Sequence, residues 1–212
     1  MKTQAEIIRD LVAHGHARST REFTDAGVTR ARLAIEVEKG VLYQWQRGVY
    51  CSPDIPDGMN YAAAALTLPG GIVCLQSAAS IHGISDENPS CLWYAMDRAK
   101  THYTPAGATR DPIARIHWKG PEMTVGVDVM TFAGVQVNVT SPARTVVDMV
   151  RRDLKAGGGE QSNRALRDFM LHGGDLGDVW EIAKALGLGD QFESLLRVAE
   201  ELRTVMMKPG SM

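Results

Sequence analysis

Cysteine is scarce in this chain: Cys51, Cys74 and Cys91 are the only three, and no two stand at a CxxC spacing. An odd count at such separations argues against a disulfide framework or a zinc site, and for ordinary buried thiols in a reducing cytosol. Long apolar runs are missing as well. None approaches the roughly 18–20 residues of a membrane span, and the start lacks a signal-peptide core, so a cytoplasmic protein is expected. Also absent are a Gly-rich phosphate loop, HExxH and GxSxG, which removes the commonest enzyme signatures. No internal repeat or low-complexity tail is visible, and the nearest approach to a flexible element is Gly157-Gly158-Gly159. The formal net charge of −2 argues against non-specific polyanion binding by the chain as a whole.

The 212 residues, 44% of them hydrophobic, suffice for two modest domains or one large one. Charge is unevenly placed. Residues 1–53 hold eight Lys/Arg against six Asp/Glu, whereas the remainder is acidic. A mildly basic head on a more acidic body suits a repressor whose body meets something other than DNA.

That head contains the most ordered stretch of the sequence, STREFTDAGVTRARLAIEVEKGVLYQWQRGVYCSP, from Ser19 to Pro53. Ser19 or Thr20 can N-cap a short helix, with Glu22 answering in a capping box, and Gly27 can end it. A second helix is expected from about Thr29 to Lys39, stopped by Gly40. Two β-prone runs follow, Val41–Trp45 and Gly48–Cys51, separated by Gln46-Arg47. Helix, turn, helix and hairpin is the layout of a winged helix-turn-helix, whose second helix enters the major groove while the hairpin lies along the backbone. Thr29, Arg30 and Arg32 then become the groove contacts, Arg47 the wing contact, and Arg18 and Arg21 the phosphate contacts. A helical wheel puts Leu33, Ala34 and Val37 inside, with Thr29, Arg32 and Glu36 on an outer flank. The same pattern also fits a helix pair packed on a hairpin without DNA.

Thr3–His14 reads as a first helix bracing the other two, with His14 and His16 solvated at its end. Pro53, Pro56 and Gly58 break the pattern, placing a boundary between residues 1–55 and 56–212. Beyond it, helices are expected at Asn60–Leu68 and Val73–Ile81, then strands at Ser90–Met96 and Ile113–Trp118. A hairpin follows from Val125–Met130 to Val135–Val139, across Ala133-Gly134. Ser141-Pro142 starts a clear helix, Ser as N-cap and Pro at its first position. Arg144 and Asp148 on it stand at i, i+4, a pair that gives only a few tenths of a kcal/mol on an exposed helix. Three amphipathic helices, about Ser162–His172, Asp175–Leu186 and Asp190–Met207, complete an α+β chain with an antiparallel sheet and a helical C-terminal part. The last carries Phe192, Leu195, Leu196, Ala199, Leu202, Val205 and Met206 on one face, which packs into its own domain or receives a partner.

Candidate chemistry is thin. Ser77 and His82 form a conceivable dyad without an oxyanion turn, so capping or packing is expected of them. Asp128 and Glu122 are the only hint of a nuclease's carboxylates, and no Lys follows at the expected short spacing. Cys74 stands at a helix start, where thiolates are favoured, but among apolar neighbours. No catalytic residue, metal or cofactor is expected.

Three segments together resemble the AbiEi family, the antitoxins of type IV toxin–antitoxin systems and related orphan regulators. They are GVTRARLAIEVEKGVLYQWQRGVYCSP, GGIVCLQSAASIHGISDENP and TSPARTVVDMVRR. The resemblance covers about residues 4–152; the last three helices match only in general character. It implies an N-terminal domain repressing its own operon at double-stranded operator DNA, commonly inverted repeats. It also implies a C-terminal domain that counters a nucleotidyltransferase toxin without requiring a stable complex. Some relatives carry nuclease-like domains, whose carboxylates have no counterpart here. The alternatives kept beside it are a protein-interaction module, an orphan regulator without antitoxin activity, and an enzyme of unrecognised type.

Overall fold

The computed structural model describes residues 2–86, 89–99, 109–156 and 159–206, and all their side chains except those of 154–156 and 202–206. Helix α1 (Gln4–Val12) starts on a capping box in which the Thr3 N–H donates to the Glu6 carboxylate at 2.7 Å. Strand β1 (Arg18–Ser19) leads into α2 (Thr20–Asp25) through the capping box expected at Ser19 and Glu22. Gly27, at φ 86°, makes the turn to α3 (Arg30–Glu38), which Thr29 caps by accepting from the Arg32 N–H. Strands β2 (Tyr43–Gln46) and β3 (Val49–Cys51) form an antiparallel hairpin, and β1 adds to β3 through Arg18↔Tyr50 and Ser19↔Val49. Helix α4 (Met59–Thr67) follows.

Two expectations for this region are corrected. Val41 and Leu42 are not strand. Their N–H groups both donate to the Glu36 carbonyl, wrapping the end of α3, and Leu42 is buried beside Ile8, Val12, Phe23, Val28 and Leu33. The helical wheel is rotated as well. Leu33 is buried and Val37 half-buried, but Ala34 is exposed and Glu36 is buried. The Glu36 carboxylate lies beside two cations, Arg32 of the same helix at 2.7 Å and Lys39 at its C-cap at 3.5 Å.

Strand β4 (Ile72–Val73) and α5 (Leu75–Ile81) replace the single helix expected from Val73. Leu75, at φ 49°, marks the break between them. Strands β5 (Leu92–Asp97), β6 (Ile113–Trp118), β7 (Val127–Phe132) and β8 (Val135–Thr140) complete a five-stranded sheet in the order β6-β5-β4-β8-β7. β4 and β5 are antiparallel, with Ile72 opposite Ala95. The remaining helices are α6 (Pro142–Ala156), α7 (Glu160–Leu171), α8 (Leu176–Ala185) and α9 (Gly189–Met206). The fold is mixed α+β.

Contacts divide the chain into two units. The first holds Met1–Gly71, Ala99–Ala114 and Val129–Asn138; the second holds Ile72–Arg98, Arg115–Asp128 and Val139–Met212. In the first unit, Ala62 and Ala63 of α4 pack with Val49, Cys51 and Met59, and the β7–β8 turn joins the same core. That turn has positive φ at both Ala133 (46°) and Gly134 (69°), as a two-residue hairpin of primed type requires. The Ala133 carbonyl accepts from the Ala17 N–H at 2.7 Å, and the His16 ring lies where a Gly134 Cβ would fall, 2.2 Å from its nearest atom. His16 is thus half-buried rather than solvated; His14 is exposed. Gly134→Ala is expected to lose more than the about 1–2 kcal/mol that a positive φ costs by itself, because the new Cβ meets the His16 ring, and this is seen as a lower urea midpoint than that of Gly70→Ala. Gly70→Ala is the control, because its φ is also positive (80°) but nothing lies within 4 Å.

In the second unit, α6 packs against α5, α7 and α8, and α8 against α9. Val146, Val147, Met149 and Val150 are buried, as their spacing predicts, and so are Phe192, Leu196 and Ala199 of α9. Leu202, Val205 and Met206, like Gly157 and Gly158, lie outside the described residues or side chains. Ser141 caps α6 by accepting from the Arg144 N–H. The largest departure is the Arg144–Asp148 pair, which is buried rather than exposed. Arg144 Nε donates to Asp148 Oδ2 at 2.9 Å, with side-chain exposures of 0% and 4%. Its other nitrogens donate to the carbonyls of Val125 and Glu122, and its guanidinium carbon lies 4.5 Å from the Trp118 ring centroid.

Candidate nucleic-acid interface

The groove and wing residues expected from the sequence all lie in the first unit, and their surroundings differ. Arg30 opens α3, exposed and in no ion pair among the described residues. With Ala31, Ala34, Ile35 and Glu38 it forms the solvent face of that helix, 3.6-residue periodicity bringing positions 30, 31, 34, 35 and 38 together. Thr29 is occupied twice: its hydroxyl caps α3, and its N–H donates to Gln4 Oε1 at 3.2 Å. Arg32 stands on the flank of the helix, its guanidinium held by Glu36 and its side chain 33% exposed. Together with Thr3, Gln4, Thr29 and Ile35 it lines a cleft between the start of α1 and α3.

Arg18 is the least accessible of the set. It donates to the Ala17 carbonyl, meets His16 Nδ1 at 3.0 Å and lies 3.7 Å from Glu22. Arg21 reaches into solvent from α2, 3.6 Å from Asp25. Arg47 and Gly48 make the tip between β2 and β3, with Gly48 at φ 79° and Arg47 exposed. Gln46, read as part of that tip, is instead the last residue of β2 and is buried. Its side-chain amide donates to Thr67 Oγ1 at 2.7 Å.

One cation beside the hairpin could not be found by reading the motif. Arg110, 64 residues beyond Gln46, donates its N–H to Gln46 Oε1 at 3.0 Å. Its guanidinium lies 4.5 Å from the Trp45 ring centroid and donates to the Tyr43 hydroxyl at 2.9 Å. Stacking on Trp45 orders an exposed, permanently charged group on the hairpin. The only signal in the sequence is the aromatic content of β2, which calls for a partner without naming it.

The other chemical candidates have structural partners. His82 Nε2 lies 2.7 Å from the Thr140 carbonyl, whereas Ser77 Oγ accepts from the Trp93 N–H, so the two do not meet. Glu122 is bound by Arg151 at 2.6 Å, and Asp128 is exposed on β7. Burial pushes the Cys51 thiol up to about 11 and raises that of Cys74 as well, holding both in the unreactive thiol form. No described helix is long and apolar enough to cross a membrane.

Fold and site together define an α+β protein with a helical, cation-bearing N-terminal unit and a second unit of sheet and helices. Residues 71–175 match the family model of the AbiEi antitoxin C-terminal domain, and over these residues the chain belongs to the AbiEi antitoxin family. The SAASIHG and SPARTVVD segments fall inside the match, and the helix–turn–helix stretch lies before it. No curated protein matches the chain.

Proposed function

We propose that this protein is a DNA-binding transcriptional autorepressor and the antitoxin of a type IV toxin–antitoxin system, countering a nucleotidyltransferase-like toxin without catalysis of its own. The N-terminal helices and hairpin are read as a winged helix-turn-helix, α3 entering the major groove of operator DNA and the β2–β3 tip lying along the backbone. Thr29, Arg30 and Arg32 serve the groove, Arg47 the wing, and Arg18 and Arg21 the phosphates. The observation that carries this reading is the pairing of two exposed arginines, Arg30 at the head of α3 and Arg47 at the hairpin tip, each free of an ion pair among the described residues. The AbiEi antitoxin domain beside them supports the antitoxin half. An operator of inverted repeats is what the resemblance implies.

Ion pairs on Arg18, Arg21 and Arg32 favour a second reading, in which this unit binds protein and its charges are already satisfied. One titration separates the two. The purified protein is titrated with its own upstream DNA across a salt series, with unrelated DNA as competitor. Sequence-selective binding is expected, with log affinity falling by about 0.9 per phosphate neutralised for each decade of salt. Weak, non-selective binding with a flat salt response would transfer the weight to the protein-binding reading. Antitoxin action is read separately, as rescue of growth on co-expression with the neighbouring nucleotidyltransferase-like gene.

A further inference from the structure

The second unit contains a cavity of about 350 Å³ whose lining the family match does not explain. Trp93, Trp118 and Ile116 stand in its apolar lining, and its charged lining is Glu122, Asp148, Arg151 and Arg152. The four charged groups are not equivalent. Arg151 is committed to Glu122 at 2.6 Å, and Asp148 to the buried Arg144 at 2.9 Å. Arg152 is in no ion pair among the described residues; its guanidinium lies over Trp93, 4.0 Å from the ring centroid. The cavity therefore pairs tryptophan side chains with one cation, Arg152, that has no carboxylate partner among the described residues and lies over Trp93.

We infer that this cavity is a binding site for a small planar aromatic anion, its ring against the tryptophan wall and its anionic group on Arg152. A volume of about 350 Å³ is near the lower end of the ligand-pocket range and takes a molecule of one or two fused rings bearing one charged group. Aromatic contact supplies area with geometric preference, and a guanidinium offers a planar fork to carboxylate or phosphate. Asp148 sets polarity at the wall. A carboxylate there favours a ring that presents N–H donors and disfavours one that presents only acceptors. Nucleoside monophosphates and aromatic carboxylic acids share this chemistry. The inference rests on the second unit alone and goes beyond the operator-binding reading, so either can fail without the other.

The test is isothermal titration calorimetry of the full-length protein with two sets of probes. One set is the four nucleoside 5′-monophosphates; the other is salicylate and indole-3-acetate. Adenosine and inorganic phosphate serve as the separated halves. At least one aromatic anion is expected to saturate one site per chain, and the responding set identifies the source. Arg152→Ala should weaken that binding about tenfold or more, as loss of a charged hydrogen bond does. Arg167→Ala, on α7 and outside the cavity, should leave it unchanged. Because Arg152 is exposed, its alanine variant is expected to fold. The inference is overturned if no probe binds up to about 10 mM, if phosphate alone binds as well as the aromatic anions, or if Arg152→Ala has no effect.

Discussion

Asp148→Ala is expected to destabilise the second unit by about 3–5 kcal/mol. Among the described residues, the carboxylate it removes is the only counter-charge bonded to Arg144, a side chain with no exposure at all. The remaining partners of that guanidinium are two carbonyls and the Trp118 face, which solvate the charge without neutralising it. Gly126 prevents a simple escape: a Cβ at that position would stand 2.7 Å from Arg144 Cβ, so the backbone is closed around the side chain. Urea unfolding followed by far-ultraviolet circular dichroism measures the loss. Replacing both partners, Arg144→Met with Asp148→Leu, should recover most of it, because a buried pair costs nearly as much to desolvate as it returns. An alanine variant within about 1 kcal/mol of the parent would falsify this account of the pair.

The same carboxyl carries a pH signature. Burial pushes it up from 3.8 to about 6, against the pull of Arg144. The folded protein then holds this proton more tightly than the unfolded chain. Its contribution to stability is therefore fullest below about pH 4 and declines as pH rises through about 6. Asp148→Asn should flatten stability across that window, which a urea series between pH 4 and pH 7 reads directly.

The pair also marks where sequence reasoning stops. The i, i+4 spacing of Arg144 and Asp148 is visible in the chain, and so is the apolar stripe that directs Val146, Val147 and Val150 inward. What the spacing cannot reveal is that the Glu122 and Val125 carbonyls arrive from about twenty residues away to close over the guanidinium. That closure turns a surface pair into a buried one. Local chemistry was readable because its causes are local: the Ser19–Glu22 box, the glycine turn at 27 and the Ser-Pro start of α6 each involve neighbours in sequence. Val41 and Leu42 depart from the expected strand because a short apolar run looks the same whether it extends into a hairpin or folds back on a helix end. Only the core that receives Leu42 distinguishes them.

The candidate interface divides in the same way. Arg30 and Arg47 were legible as exposed cations because a helix start and a hairpin tip leave little else for them to do. Arg32 was placed on an outer flank, where it stands, but the buried carboxylate beneath it was not foreseen. Glu36, expected on the same outer flank, is buried. Arg32 of α3 and Lys39 at its C-cap stand beside the carboxylate, so its repulsion of a nearby phosphate is partly offset. Arg110 reaches the hairpin from a segment that no local pattern connects to it.

If α3 enters the groove, Arg30→Ala should cost about 1–3 kcal/mol at the operator, roughly ten- to a hundredfold in affinity, and relax preference at the base it reads. Arg30 is the sharpest probe because it is in no ion pair among the described residues, so a change in binding reports the DNA contact itself. Arg47→Ala should behave differently. A wing residue on a phosphate supports every sequence alike, so affinity should fall uniformly and the salt slope should shrink by about one. Arg32→Ala is the compound case, because it removes a groove contact and also leaves Glu36 with Lys39 alone at 3.5 Å. Its effect on binding is meaningful only after its unfolding midpoint has been measured beside it. Electrophoretic mobility shift on operator and base-substituted operators, at two salt concentrations, separates the three. If Arg30→Ala and Arg32→Ala both left affinity and base preference untouched, α3 would not be the reading helix. The DNA-binding surface would then have to be sought around Arg47 and Arg110 on the hairpin.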